Sequence, residues 1–388
     1  MRIIVAALLA LVVFAGCKKG EETNPKTNQI KLTGKLPTNK SASLDVKTAT
    51  KVLLFNVSGE HTLADIANGT FTVQLNKDEP VGLIFTNADK AFLGYLKLNE
   101  GIASLPLNYL NDTVSVVNLG ELTTDGTAAV SSGANILTQV MKMSDDQIRS
   151  YQYANINFSY AVKNPDADQN GVVDLLEGKF YRLAYMWFGD GGAYNKTPSK
   201  TGNINLDAFR LMFFTSDVTN TPSEITFSKL VGNENLNSAS KNVFTSNTLY
   251  TSTLFMILPG LVTLNPQFQV IYKNQTLYFG LPDFSSTVNN FIYIFPTLNF
   301  DSSGKIAKVS WVYYSGLTGG TVDASKVITD IVVQFDSGSN RIYDSPNISP
   351  NLQEHTLATP IAPASVSNFY LAYNDIFGNH VVVRYHPQ

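Results

Sequence analysis

The sequence predicts a mainly β chain: two or more β-sandwich domains with a central helical segment that contains an acidic loop. Three observations predict it. Short apolar runs alternating at period 2 recur along most of the chain, separated by turn residues. Charged residues make up only 15% of the sequence, while 44% is hydrophobic and 11% aromatic, so its polar surface must come mostly from Asn, Ser and Thr. Between residues 145 and 186 the apolar spacing shifts from the period of strands to that of helices, on either side of a run rich in Asp.

The remaining composition narrows the function classes. A chain of 388 residues is long enough for about two or three domains. Its one cysteine excludes an intrachain disulfide framework and a cysteine-cluster zinc site. A formal net charge of -3 carries no basic footprint, so no nucleic acid is expected as a partner.

The chain begins with an export signal. Met1-Arg2 precedes an apolar run from Ile3 to Ala15. That run is shorter than the roughly 20 residues needed to cross a bilayer, and it fits the core of a signal peptide. Val13-Phe14-Ala15-Gly16-Cys17 resembles the lipobox of bacterial lipoproteins, with Phe14 where that family usually has Leu. The resemblance implies cleavage after Gly16, lipidation of Cys17 and membrane attachment through that lipid, in the outer membrane or at the cell surface of a Gram-negative bacterium. Residues 18–27 read as a tether. Within them Lys18-Lys19-Gly20-Glu21-Glu22 resembles the surface-export signal of Bacteroidota lipoproteins, a solvated tether being the other reading.

Residues 28–122 form the first β unit. Ile30-Lys31-Leu32-Thr33-Gly34 and Phe71-Thr72-Val73-Gln74-Leu75 alternate at period 2, with shorter apolar runs at Val52–Phe55 and Val81–Phe85. The Asn68-Gly69 turn entering the Phe71 strand resembles the transthyretin-like, carboxypeptidase regulatory-like sandwich. That resemblance implies a structural or adhesive module.

Residues 123–215 are the helical segment. A helix is expected from Asp145 to Val162, and a second from Leu175 to Met186 on the spacing of Leu176, Phe180, Leu183 and Met186. Between them Asp166-Ala167-Asp168-Gln169-Asn170-Gly171-Val172-Val173-Asp174-Leu175-Leu176-Glu177 matches the EF-hand calcium loop at its diagnostic positions. Calcium takes oxygen ligands, about six to eight of them. Asp166, Asp168 and Asn170 are the expected inward ligands, Val172 offers its carbonyl, Asp174 binds directly or through water, and Glu177 closes the site. Gly171 permits the sharp turn. Asn164-Pro165-Asp166 interrupts the entering helix and resembles the thrombospondin type 3-like and dockerin-like bacterial variants. A solitary loop of this kind implies a structural Ca2+ site rather than a sensor.

The glycines from Gly189 to Gly202 read as loop, and residues 204–215 as a short helix or strand. From about residue 216 the pattern is β, including a hairpin at Tyr272-Lys273-Asn274-Gln275-Thr276. Residues 283–388 resemble immunoglobulin-like and fibronectin type III domains, on the Trp311 strand and on a closing hairpin from Phe369 to Tyr385. No catalytic signature accompanies Glu354-His355 or the pair His380 and His386, so no catalytic residue is assigned and the chain reads as non-enzymatic. Trp187-Phe188 and Trp311-Val312-Tyr313-Tyr314 read as core rather than as a sugar platform. The expected role is a binding or adhesion module for an extracellular protein or glycan. The alternatives are a carbohydrate-binding or uptake accessory lipoprotein and, behind it, an extracellular hydrolase.

Overall fold

The computed structural model describes residues 28–37, 45–125, 128–131, 135–195, 205–215, 225–231, 237–245, 249–256, 267–272, 274–280, 292–315 and 319–386. The expected leader, Cys17 and the expected tether lie outside the described residues. The chain is mainly β, with several sheets and a minor central helical segment.

The N-terminal body contains β1 (Gln29–Lys35), β2 (Lys51–Phe55), β3 (His61–Asp65), β4 (Thr70–Asn76), β5 (Val81–Thr86), β6 (Phe92–Lys97), β7 (Ser104–Leu105), β8 (Val116–Asp125) and β9 (Ala128–Ser131). They form one nine-stranded sheet in the order β3-β2-β5-β6-β9-β8-β1-β4, with β7 beside β5. Period-2 alternation sends Ile30 and Leu32 of β1, and Phe71, Val73 and Leu75 of β4, into the core. β5 is buried along its whole length because neighbouring strands and a helix cover both its faces.

That helix is the second of two. α1 (Asp145–Ala154) and α2 (Ile156–Lys163) replace the single expected helix, parted at Asn155. The buried Asn155 side chain is committed to tertiary partners: Ser104 Oγ donates to its Oδ1 at 3.1 Å, and its Nδ2 donates to Ser159 Oγ at 2.7 Å. Gly82 of β5 marks the closest approach, where a Cβ would run into Val162 of α2.

The C-terminal part contains β10 (Tyr181–Ala193), β11 (Asn205–Thr215), β12 (Ile225–Val231), β13 (Asn237–Thr245), β14 (Leu249–Met256), β15 (Gln267–Tyr272) and β16 (Gln275–Gly280). β17 (Ile292–Phe300), β18 (Ile306–Ser315), β19 (Ile328–Ser337), β20 (Asn340–Asp344), β21 (Glu354–Ile361), β22 (Asn368–Asp375) and β23 (His380–His386) follow. An eight-stranded sheet runs β13-β14-β11-β10-β23-β22-β19-β20, and two three-stranded sheets run β12-β15-β16 and β17-β18-β21. Trp187 and Trp311 are both buried, as expected of core.

Two expectations are corrected here. The helix expected from Leu175 to Met186 is only a 3-10 turn, Asp174–Glu177, ended by Gly178 at a left-handed φ of 78°. Beyond it the chain becomes β10, whose buried Tyr181, Leu183, Tyr185 and Trp187 recur at period 2. Both periods are written into this segment, and pairing to β11 and β23 selects the strand. The glycines from Gly189 to Gly192 lie in the same strand rather than in a loop. Gly191 is required there because a Cβ would meet the Tyr385 ring of β23.

A buried polar junction joins the parts. Arg182 of β10 donates from Nε to the Val57 carbonyl of the N-terminal body at 2.7 Å, and from Nη1 to the Phe377 carbonyl at 2.9 Å. Its guanidinium also lies 4.2 Å from the centre of the Phe214 ring. Asp375 accepts from the Phe377 and Asn379 backbone N–H groups and from Asn379 Nδ2, each at 2.9 Å. Asn379 Nδ2 also reaches the Ala154 carbonyl at the end of α1 at 3.0 Å, while its Oδ1 accepts from the Tyr185 N–H at 3.2 Å. Around this network Phe55, Phe158, Phe377 and Tyr151 meet ring to ring, so a single cluster of buried apolar side chains reaches from Ile30 to Tyr385.

Burial pushes the Asp375 carboxyl up to about 7, against the pull of its three donors and of Arg182. Its folded pKa therefore lies above the unfolded value of about 3.9. The folded state holds this proton more tightly, so the stability it contributes is full below that unfolded value. It is lost as pH rises through about 7. Thermal melts in EDTA should show wild type losing ground to Asp375→Asn between pH 5 and pH 8; a difference independent of pH would contradict this assignment.

Candidate metal centre

The acidic loop leaves α2 at Asn164 and turns back on itself before the 3-10 turn Asp174–Glu177. Its shape follows from local chemistry. Asp166 Oδ1 accepts from the Asn170 N–H at 3.1 Å and Oδ2 from the Gly171 N–H at 2.8 Å. Gln169 and Gly171 both take positive φ, 57° and 91°. Nothing crowds a Cβ at Gly171, so its backbone angle, not space, is what calls for glycine there.

The loop is also tied to two other parts of the chain. The Val173 N–H donates to the Lys90 carbonyl of the N-terminal body at 3.1 Å, and Lys90 Nζ returns to the Leu176 carbonyl at 3.0 Å. The Tyr278 N–H of β16 donates to the Ala167 carbonyl at 3.0 Å. The loop therefore sits where the N-terminal body, α2 and the β12-β15-β16 sheet meet.

Asp166, Asp168 and Asp174 converge, each offering a carboxylate oxygen within 4.8 Å of the others. Asp174 is buried; its Oδ2 accepts from the Ala167 N–H at 2.9 Å, but Oδ1 has no hydrogen-bond partner. Burial pushes the Asp174 carboxyl up to about 7, with Asp168 and Asp166 adding like charge. Burial raises Asp166 as well, against the Gly171 and Asn170 donors. An unpartnered buried carboxylate oxygen is costly unless a cation or proton meets it. An all-oxygen donor set suits a hard cation such as calcium and not a thiolate- or imidazole-seeking metal.

The other expected ligands are placed differently. Glu177 lies outside the convergent trio, and its Oε2 accepts from Asn170 Nδ2 at 3.0 Å. Asn170 points its amide nitrogen toward Asp168 and Glu177, while its Oδ1 accepts from the Val172 N–H at 2.8 Å. Val172 thus contributes its N–H to the loop's internal bonding. Sequence reasoning missed Lys179, whose Nζ lies 3.2 Å from Asp168 Oδ2 and 3.1 Å from Glu177 Oε2. Its only sequence signal was a lysine two residues beyond the last acidic ligand. Burial would lower the Lys179 pKa, but the two carboxylates outweigh it and hold the ammonium above its usual value.

The histidines of the described chain are engaged elsewhere. His355 Nε2 lies 2.5 Å from Tyr343 Oη, and Glu354 pairs with Lys308 at 3.0 Å. As adjacent strand residues they point to opposite faces, so they do not form one site. His380 meets Asn374, while His386 and Arg384 both meet Asp190 at 3.0 Å. A separate cleft of about 270 Å³ opens between the sheet's edge strands β3 and β4. Buried Asn56 lies in its wall and donates to Glu60 and Glu79, each at 2.9 Å.

No known protein family and no curated protein matches this sequence. Among solved structures, a run of titin domains aligns over 87% of this chain and 87% of that chain, at 10% identity and a TM-score of 0.15. Trypsin-activated alpha-2-macroglobulin from Escherichia coli aligns over 94% of this chain and 24% of that chain, at 8% identity and a TM-score of 0.16. At these TM-scores neither likeness bears on fold or function.

Proposed function

We propose that this chain is a lipid-anchored, non-enzymatic protein of the Gram-negative cell envelope or surface. Its β domains act as a binding or adhesion module, and the loop Asp166–Glu177 holds one structural Ca2+ ion. The reading rests on one observation above all: the buried Asp174 carboxylate, with an unpartnered oxygen, set against Asp166 and Asp168. The hydrogen bonds of the loop to Lys90 and Tyr278 favour a structural role, since an ion there would stiffen the meeting point of three parts of the chain. The lipid anchor is supported by the Ala15-Gly16-Cys17 sequence alone.

Isothermal titration with calcium after EDTA dialysis tests the loop. The wild type should take up one ion with a Kd of about 10⁻⁴–10⁻³ M, and Asp166→Ala combined with Glu177→Ala should abolish the heat. A double variant that binds like the wild type would remove the loop from this reading. For the anchor, Cys17→Ser should move the protein from the membrane to the soluble fraction.

A further inference from the structure

Two of the four expected carboxylate ligands are bridged by side chains of the chain itself. Asp168 Oδ2 and Glu177 Oε2 are bridged twice, by the Lys179 ammonium at 3.2 and 3.1 Å and by Asn170 Nδ2 at 3.3 and 3.0 Å. Asp166 accepts only from backbone N–H groups, and Asp174, which feels the Lys179 charge without bonding to it, keeps Oδ1 without a donor. A divalent ion seated against Asp166 and Asp174 would compete with the Lys179 ammonium and Asn170 Nδ2 for Asp168 Oδ2 and Glu177 Oε2.

We propose that Lys179 is a resident counter-cation of the loop, exchanged for the divalent ion on binding, and that it thereby sets the affinity of the site. This rests on the calcium reading of the loop. Three features carry it. The ammonium bridges one carboxylate of the converging trio, Asp168, to the expected closing ligand, Glu177. It lies between the 3-10 turn, capped by Gly178, and β10, which begins at Tyr181, so its side chain can withdraw without disturbing the strand pairing. It is only partly exposed, at 26% for the side chain, so its charge is less screened than that of a free surface lysine. Lys179 is a positioning residue here, acting on the ion through Asp168 and Glu177.

The test is calcium titration of the full chain carrying Lys179→Met, with Lys179→Arg to restore the charge and Lys47→Met to remove an exposed charge elsewhere. Two partly exposed ion pairs are together worth roughly a tenfold change in affinity. Lys179→Met should therefore bind calcium about tenfold more tightly than wild type, while Lys179→Arg and Lys47→Met stay close to wild type. Binding by Lys179→Met alone, with wild type silent, would support the exchange equally. If wild type binds and Lys179→Met binds no more tightly, the role of Lys179 is overturned and the calcium loop stands. If neither binds while circular dichroism shows both folded, the calcium reading and this inference fall together. Lys179→Gln repeats the measurement should the methionine variant fold poorly.

Discussion

Calcium at about 10 mM should raise the melting temperature of the wild-type chain, and Asp166→Ala combined with Glu177→Ala should remove the rise. For a Kd of about 0.1–1 mM, linkage predicts roughly 1.4 to 2.7 kcal/mol of added stability. The expectation follows from the charge of the loop. Asp166, Asp168, Asp174 and Glu177 bring four carboxylates together against the single ammonium of Lys179. Asp174 is the costliest, being buried with one oxygen unpartnered. In EDTA the double variant loses some loop hydrogen bonds but also sheds like-charge repulsion, so it should melt close to wild type. The difference therefore emerges only with the ion, as differential scanning calorimetry with and without calcium will read. Trypsin offers a second readout, since an ion that orders the loop should slow cleavage after Lys179. A calcium-dependent rise that persists in the double variant would place the ion elsewhere.

Arg182→Met should destabilise the chain by about 3–5 kcal/mol, the larger of the two expected effects. Arg182 is buried, and its two hydrogen bonds end on carbonyls from opposite ends of the sequence, Val57 and Phe377. Methionine fills much of the same volume but donates nothing, so the buried Phe377 carbonyl and the part-buried Val57 carbonyl both lose this donor. It also takes away the cation over the Phe214 ring and the positive charge nearest Asp375. Lysine is no substitute, because one ammonium does not reproduce the guanidinium fork. The urea midpoint should fall sharply for Arg182→Met and also for Arg182→Lys. A near-neutral Arg182→Met would show that the aromatic contacts of Phe55, Phe158 and Phe377 hold the junction without it.

The β character of the chain was legible because its cause is local. Ile30 and Leu32, or Phe71, Val73 and Leu75, alternate with polar residues, and a strand with one buried face has to do so. The acidic loop was legible for a similar reason: Asp166, Asp168, Asn170, Gly171, Asp174 and Glu177 lie within twelve consecutive residues, and their spacing carries the chemistry. Residues 175 to 186 were not legible. Leu176, Phe180, Leu183 and Met186 fit a helix, while Tyr181, Leu183, Tyr185 and Trp187 fit a strand. Hydrogen bonds to β11, the next strand, and to β23, far away in sequence, decide between them. The same limit hid the use of Gly191, which makes room for Tyr385, and of Arg182, whose partners lie 125 and 195 residues away.

The sequence by itself determined a mainly β chain and a twelve-residue stretch that carries closely spaced hard oxygen donors, since each is a property of neighbouring residues. Tertiary structure alone decided which of those donors converge. Asp174 is brought against Asp166 and Asp168 by folding, because backbone bonds to Lys90 and Tyr278 fix the loop from outside. Asn170 and Glu177 are turned toward each other, and Lys179 is drawn in as a counter-charge. Spacing sets which side chains can reach a common point, whereas burial and competing donors set which of them do.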